Sequence, residues 1–185
     1  METDREKQEL IINNILTRTS DRMLDISKEV DPEDIQTILQ AAMAAPTGVN
    51  RQPWNYVVVT NRQLLDQLAA DLPYCHFANQ VNAAIVVCGD KDRFLEGEDA
   101  QLWIQDVSAS SENILLAAHA LGLGSVWTCV YPHTDRMATV AGILSLPDNL
   151  IPFNVIPIGY TLKLALTLIL TKRLRTISIM SCIKK

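Results

Sequence analysis

The chain has 185 residues, 48% of them apolar and 20% charged, with a net charge of −5. That is enough for one domain with a sizeable core, and the composition excludes a disordered or low-complexity polymer. The acidic balance argues against nucleic acid as a partner, and the longest apolar run, Leu164 to Thr171, falls well short of the ~20 residues that span a bilayer.

Met1 to Glu9 is charged and has no apolar stretch, so no secretory leader is expected. Residues 5–16 read as a helix with Leu10, Ile11 and Ile15 on one side. Arg18 to Arg22 is a polar turn. Taken alone it reads as a solvated basic turn, although two arginines and a hydroxyl so close together also suit a phosphate. Asp31-Pro32-Glu33-Asp34 starts a helix, with Asp31 as cap, Pro32 in the first position and acids facing the dipole. Ile35, Ile38, Leu39 and Ala42 are its buried stripe, and Pro46 stops it. Thr47, Gly48 and Asn50 are turn residues, and Gly48 has no Cβ to keep a flat ligand from its backbone.

Pro53 sets the direction of a strand over 55–60, and a helix over 62–71 follows. Ala83 to Cys88 is a short apolar run with the character of a central strand. Gly89 to Asp99 is polar and reads either as a flap near a substrate opening or as an ordinary surface loop. Residues 100–121 form the longest helix. Val107, Ile114, Ala118 and Leu121 make its apolar stripe, widened by Leu115, Leu116 and Ala117, as expected of a core helix, a dimer contact, or both. Asp106 and Asn113 on that helix are assigned hydrogen bonds to nearby loops rather than catalysis. Gly122-Leu123-Gly124 lacks a third glycine and precedes a strand, which excludes a dinucleotide fingerprint. A strand over Ser125 to Val130, a helix over 134–145 and a strand over Pro152 to Tyr160 complete a single domain over residues 1–160.

Cys75, Cys88, Cys129 and Cys182 fit no C-x-x-C or zinc spacing, which suits free thiols in a reducing cytoplasm. His76, His119 and His133 share no ligand spacing, so no metal is expected. No nucleophile-and-base grouping stands out either, which points to chemistry carried by a cofactor.

The stretch Ala-Pro-Thr-Gly-Val-Asn-Arg-Gln-Pro-Trp at 45–54 resembles the signature loop of the FMN-dependent nitroreductase family, typically A-P-S-x-x-N-x-Q-P-W. Arg18-Thr19-Ser20-Asp21-Arg22 is similar to its N-terminal R-x-S-x-R. Trp103 to Ala118 resembles its long central helix, and Gly122 to Pro132 the strand beside the flavin. The resemblance implies an α+β fold in which a central mixed or antiparallel sheet is flanked by helices in an intertwined homodimer. It also implies FMN as a tightly bound cofactor, NAD(P)H as co-substrate and a small oxidant such as a nitroaromatic or quinone. The residues it assigns to FMN are Arg18, Thr19, Ser20 and Arg22, then Pro46, Thr47, Gly48, Asn50 and Gln52, then Trp127, Thr128 and Cys129. Arg18 and Ser20 are assigned to the phosphate, Arg22 to the N1–C2=O edge of the ring, and the backbone of Thr128 and Cys129 to N5 and O4. At the Cys129 position relatives usually carry glycine. Two alternatives within the same fold are a flavin-binding protein without turnover and a dehalogenating or flavin-cleaving branch.

The resemblance stops near residue 160. Residues 161–185 carry Lys163, Lys172, Arg173, Arg175, Lys184 and Lys185 and no acid, so the net −5 conceals −11 over residues 1–160. Leu162, Leu164, Leu166, Leu168 and Leu170 alternate as in a strand with one apolar face, which a partner subunit can accept. The abrupt change of composition also resembles a shifted reading frame. No position of this tail matches the family's terminal basic phosphate contact.

Overall fold

In the computed structural model, which describes residues 3–162, five α-helices surround five strands. The elements are α1 (Asp4–Thr17), α2 (Pro32–Met43), β1 (Trp54–Val59), α3 (Arg62–Asp71), β2 (Ala83–Asp90), α4 (Leu102–Ala120), β3 (Leu123–Ser125), β4 (Thr128–Cys129), α5 (Thr134–Leu144) and β5 (Leu150–Tyr160). Most of the expected elements appear within one to three residues. The leucine alternation beyond Leu162 lies outside the described residues.

The layers follow from β2, which is buried on both faces. Ala83, Ile85 and Val87 point to a core shared with Ile35 and Ile38 of α2 and with Val107 and Ile114 of α4. Ala84, Val86 and Cys88 point the other way, to Leu65 and Leu68 of α3 and Val140 of α5. An apolar run without alternation is what a strand covered on both sides requires. The sheet order is β1-β2-β5-β3, with β4 also on β5, and every pairing is antiparallel. The sheet is therefore antiparallel and not mixed.

One expected strand is broken. In place of a strand over 125–130, β3 ends at Ser125 opposite Ile158, and β4 resumes at Thr128 opposite Val155. Continuing that register sets Val126 opposite Pro157, which has no N–H to give a ladder. The break frees the chain at Val126–Trp127 to turn toward the segment before Leu24.

Helix α4 is buried mainly within its own chain, where Ser111 Oγ also accepts from Asn154 Nδ2 at 2.8 Å. Leu121 is 37% exposed and drops out of the predicted stripe. The bare apolar surface belongs to α1, which buries no residue of its own. Its capping box at Thr3 and Glu6 fixes the helix start. No described helix is long and apolar enough to cross a membrane.

Candidate functional site

The loop from Pro46 to Pro53 is held in a conformation that ordinary residues avoid. Val49, Asn50 and Gln52 have φ of 43°, 58° and 50°, in the left-handed region. Such strain persists only where neighbours over-determine it, and it concentrates at functional sites. Six hydrogen bonds do so here. The Gly48 N–H donates to the buried Asp106 carboxylate on α4, 3.2 Å from Oδ1 and 3.1 Å from Oδ2. The Gln52 N–H donates to Thr47 Oγ1 at 3.1 Å, and Gln52 Nε2 donates to Asn50 Oδ1 at 2.9 Å. Arg51 reaches over to the carbonyls of Arg93 and Phe94, at 3.1 Å and 3.4 Å. The 89–99 segment is thus a brace for this loop, with Phe94 stacked on Trp103 at 4.7 Å. Pro46, Asn50 and Gln52 remain exposed.

The basic segment lies elsewhere. Arg18 caps the C-terminal end of α1, and its Nε sits 3.3 Å from Glu112 of α4. Its Nη1 is buried and has no hydrogen-bond partner. Thr19 and Ser20 are exposed. The Asp21 N–H donates to the Ser125 carbonyl at 3.0 Å, which lays the segment along the end of β3. Arg22 then enters a cavity of about 280 Å³ that Trp127, Thr128 and Cys129 also line. Tyr74, His76 and Arg136 complete its polar wall.

The structure therefore brings Arg22, Trp127, Thr128 and Cys129 together, with Arg18, Thr19 and Ser20 on the approach. It does not bring Pro46, Thr47, Gly48, Asn50 and Gln52 to them. Both groups anchor on α4, but Asp106 and Glu112 are about 9 Å apart along the axis and 120° around it. One chain carries the two groups of candidate residues at separate places.

Electrostatics mark the basic half. His119 is bonded to Thr17 Oγ1 at 2.9 Å. Desolvation, and then the Arg18 charge, hold its pKa below the usual imidazole value. Burial pushes the Cys75 thiol up to about 11. Cys129 is an exposed free thiol.

The nitroreductase family model matches residues 15–72 and 67–160. A provisionally named NADH dehydrogenase/NAD(P)H nitroreductase of Methanothermobacter thermautotrophicus is 44% identical over 150 residues, which are 81% of this chain and 76% of that protein. The chain belongs to the nitroreductase family. Among solved structures, a protein of the same provisional name from Parabacteroides distasonis is 42% identical with a TM-score of 0.78, over 83% of this chain and 88% of that one. A provisionally named nitroreductase from Desulfovibrio desulfuricans, solved in complex with FMN, is 30% identical with a TM-score of 0.70, over 83% of this chain and 87% of that one.

Within this nitroreductase fold, Asp106 anchors the loop at Gly48 as expected, whereas Asn113 Nδ2 donates to the Ala41 carbonyl in the last turn of α2, at 2.9 Å, and not to a loop. Sequence reasoning missed the Arg51 clamp and the Arg136, Tyr74 and His76 side of the cavity. A signal for Arg136 was available: a cation in the first turn of a helix opposes the dipole and calls for another reason to be there.

Proposed function

We propose that this chain is an FMN-dependent oxidoreductase, working as a homodimer, that takes hydride from NAD(P)H and passes it to a small oxidant such as a nitroaromatic or quinone. One observation carries the reading: Arg22 meets Trp127, Thr128 and Cys129 at a single cavity, four residues after an arginine whose buried Nη1 lacks an acceptor. A phosphorylated planar heterocycle fits those residues, because it brings an anion to one arginine and a polar ring edge to the other. The FMN complex of the Desulfovibrio relative and the NAD(P)H in the name of the Methanothermobacter relative support the choice of cofactor and reductant.

When bound, FMN supplies the redox centre, with hydride exchanged at N5 and negative charge gathered along N1–C2=O. The chain's own residues do the holding and tuning. Arg18 and Ser20, with Thr19 between them, would take the phosphate end. Arg22 would face N1–C2=O, where a fixed cation in a water-poor pocket favours the added charge. The Thr128 and Cys129 N–H groups would serve N5 and O4, beside Trp127.

The second half-site then comes from a second copy, whose Pro46, Thr47, Gly48, Asn50 and Gln52 close over the flavin. Support comes from α1, where Leu10, Ile11, Ile12, Ile15 and Leu16 are 57%, 63%, 55%, 49% and 71% exposed. Leu10, Ile11 and Ile15 also line a groove of about 750 Å³ with Leu116 and Ala117 of α4. An apolar surface of this extent marks an interface. The free cysteines suit a reducing cytoplasm.

The test is reconstitution with FMN, followed by light scattering and steady-state NADH and NADPH oxidation with a quinone. A flavin-loaded dimer with turnover is expected. A monomer holding FMN at full stoichiometry would refute the shared site, and a loaded dimer without turnover would refute the enzymatic reading.

A further inference from the structure

The cavity that Arg22 enters continues past Cys129 to side chains that the proposed cofactor contacts leave unused: Arg136, Tyr74 and His76. Arg136 is the third residue of α5, where the dipole favours acids over cations. Its position is fixed from the cavity side. Nη1 donates to the Cys129 carbonyl at 3.2 Å, and the guanidinium lies 5.9 Å from the centre of the Tyr74 ring. The other guanidinium nitrogens meet no acceptor among the described residues. Tyr74 is itself held at φ 63°, a left-handed conformation that an aromatic residue rarely adopts.

Charge points the same way. The lining holds two arginines and a histidine and no acid, in a chain that carries −11 over residues 1–160. Asp135, in the same turn of α5, is not part of the lining. A guanidinium docked on a carbonyl and set over an aromatic ring has lost much of its freedom before any ligand arrives. Its remaining fork is ready for a two-pronged anion.

We propose that this end of the cavity sets substrate choice: Arg136, oriented by Tyr74 and the Cys129 carbonyl, binds an anionic substituent, carboxylate or phosphate, on the molecule that meets the flavin. The inference rests on the FMN reading above and goes further, because it names a substrate class. His76 adds a second donor at the rim. A neutral quinone or nitroaromatic uses none of these groups.

The experiment compares FMN-loaded wild type with Arg136→Ala, Arg136→Gln and Arg136→Lys. Two ratios of kcat/KM are read: 4-nitrobenzoate over 4-nitrobenzamide, and NADPH over NADH. Each is internal to one enzyme preparation, so a general loss of turnover cancels. Flavin content is measured by absorbance in every sample. The wild type should prefer the member with the additional anionic group in at least one pair. Arg136→Ala and Arg136→Gln should lower that preference about ten- to a hundred-fold, mainly through KM, and Arg136→Lys should restore part of it. A change in the first ratio assigns the anion to the oxidant, and a change in the second assigns it to the dinucleotide phosphate. A wild type indifferent in both pairs, or ratios unmoved in flavin-loaded variants, would overturn the proposal. Absence of flavin from the wild type would instead strike the FMN reading on which it rests.

Discussion

Arg18 sits between Glu112 and His119, yet its Nη1 is buried and unpaired. A buried donor without an acceptor costs roughly 1–3 kcal/mol, and more on a charged group. A phosphate would remove that cost, so Arg18→Gln should weaken FMN about ten- to a hundred-fold, read by equilibrium dialysis. His119 reports the same charge. Its folded pKa lies below the usual value, so the folded chain binds that proton less tightly than the unfolded one. The group costs nothing above the unfolded pKa of about 6.5. Stability is lost as pH falls from there through the folded value. An NMR titration should place the His119 midpoint below the free-histidine value, and Arg18→Gln should raise it. Arg22→Ala should make the flavin potential more negative, since a cation that favours the reduced charge is gone; an unchanged potential with unchanged affinity would place Arg22 elsewhere. Thiol chemistry separates the cysteines. Burial pushes Cys75 up to about 11 and Cys88 up to about 12, while Cys129 is exposed, so Cys129 should label first at neutral pH. Bound FMN should slow that labelling.

Elements were legible in the sequence where their signals are local. Asp31-Pro32 announces α2 at the residue where it starts, and the Asp31 carboxylate accepts from the Glu33 N–H at 2.9 Å. The Asn61 side chain caps α3 likewise, accepting from the Gln63 and Leu64 N–H groups at 2.9 Å and 3.2 Å. The break between β3 and β4 was not legible, because it depends on a proline of a strand thirty residues further on. The close fit of the basic segment against β3 was equally hidden. A Cβ added at Gly124 would lie 2.7 Å from Leu24 Cδ2 and 3.0 Å from Asp21 Cβ. Gly124→Ala should therefore cost about 1–3 kcal/mol and shift the segment that carries Arg22, lowering both the melting temperature and FMN affinity. A variant with wild-type values of both would show that this packing does not position the site.

At the scale of the molecule, the family resemblance named both groups of candidate residues and implied an intertwined homodimer to unite them. Helix geometry sets their anchors on α4, Asp106 and Glu112, on different faces. Amphipathic periodicity likewise revealed α1 as a helix without revealing that its apolar side has no cover in its own chain. Ile11→Glu should therefore disrupt the dimer and, with it, FMN retention, while a dimer that survives would move the interface away from α1. The central claim is a flavin redox site fed by NAD(P)H, and the visible spectrum of the FMN-reconstituted protein under anaerobic conditions tests it most directly. The account predicts a retained yellow flavin that NADH or NADPH bleaches and a quinone restores. A protein that retains no flavin, or one whose bound flavin neither nucleotide bleaches, would contradict it.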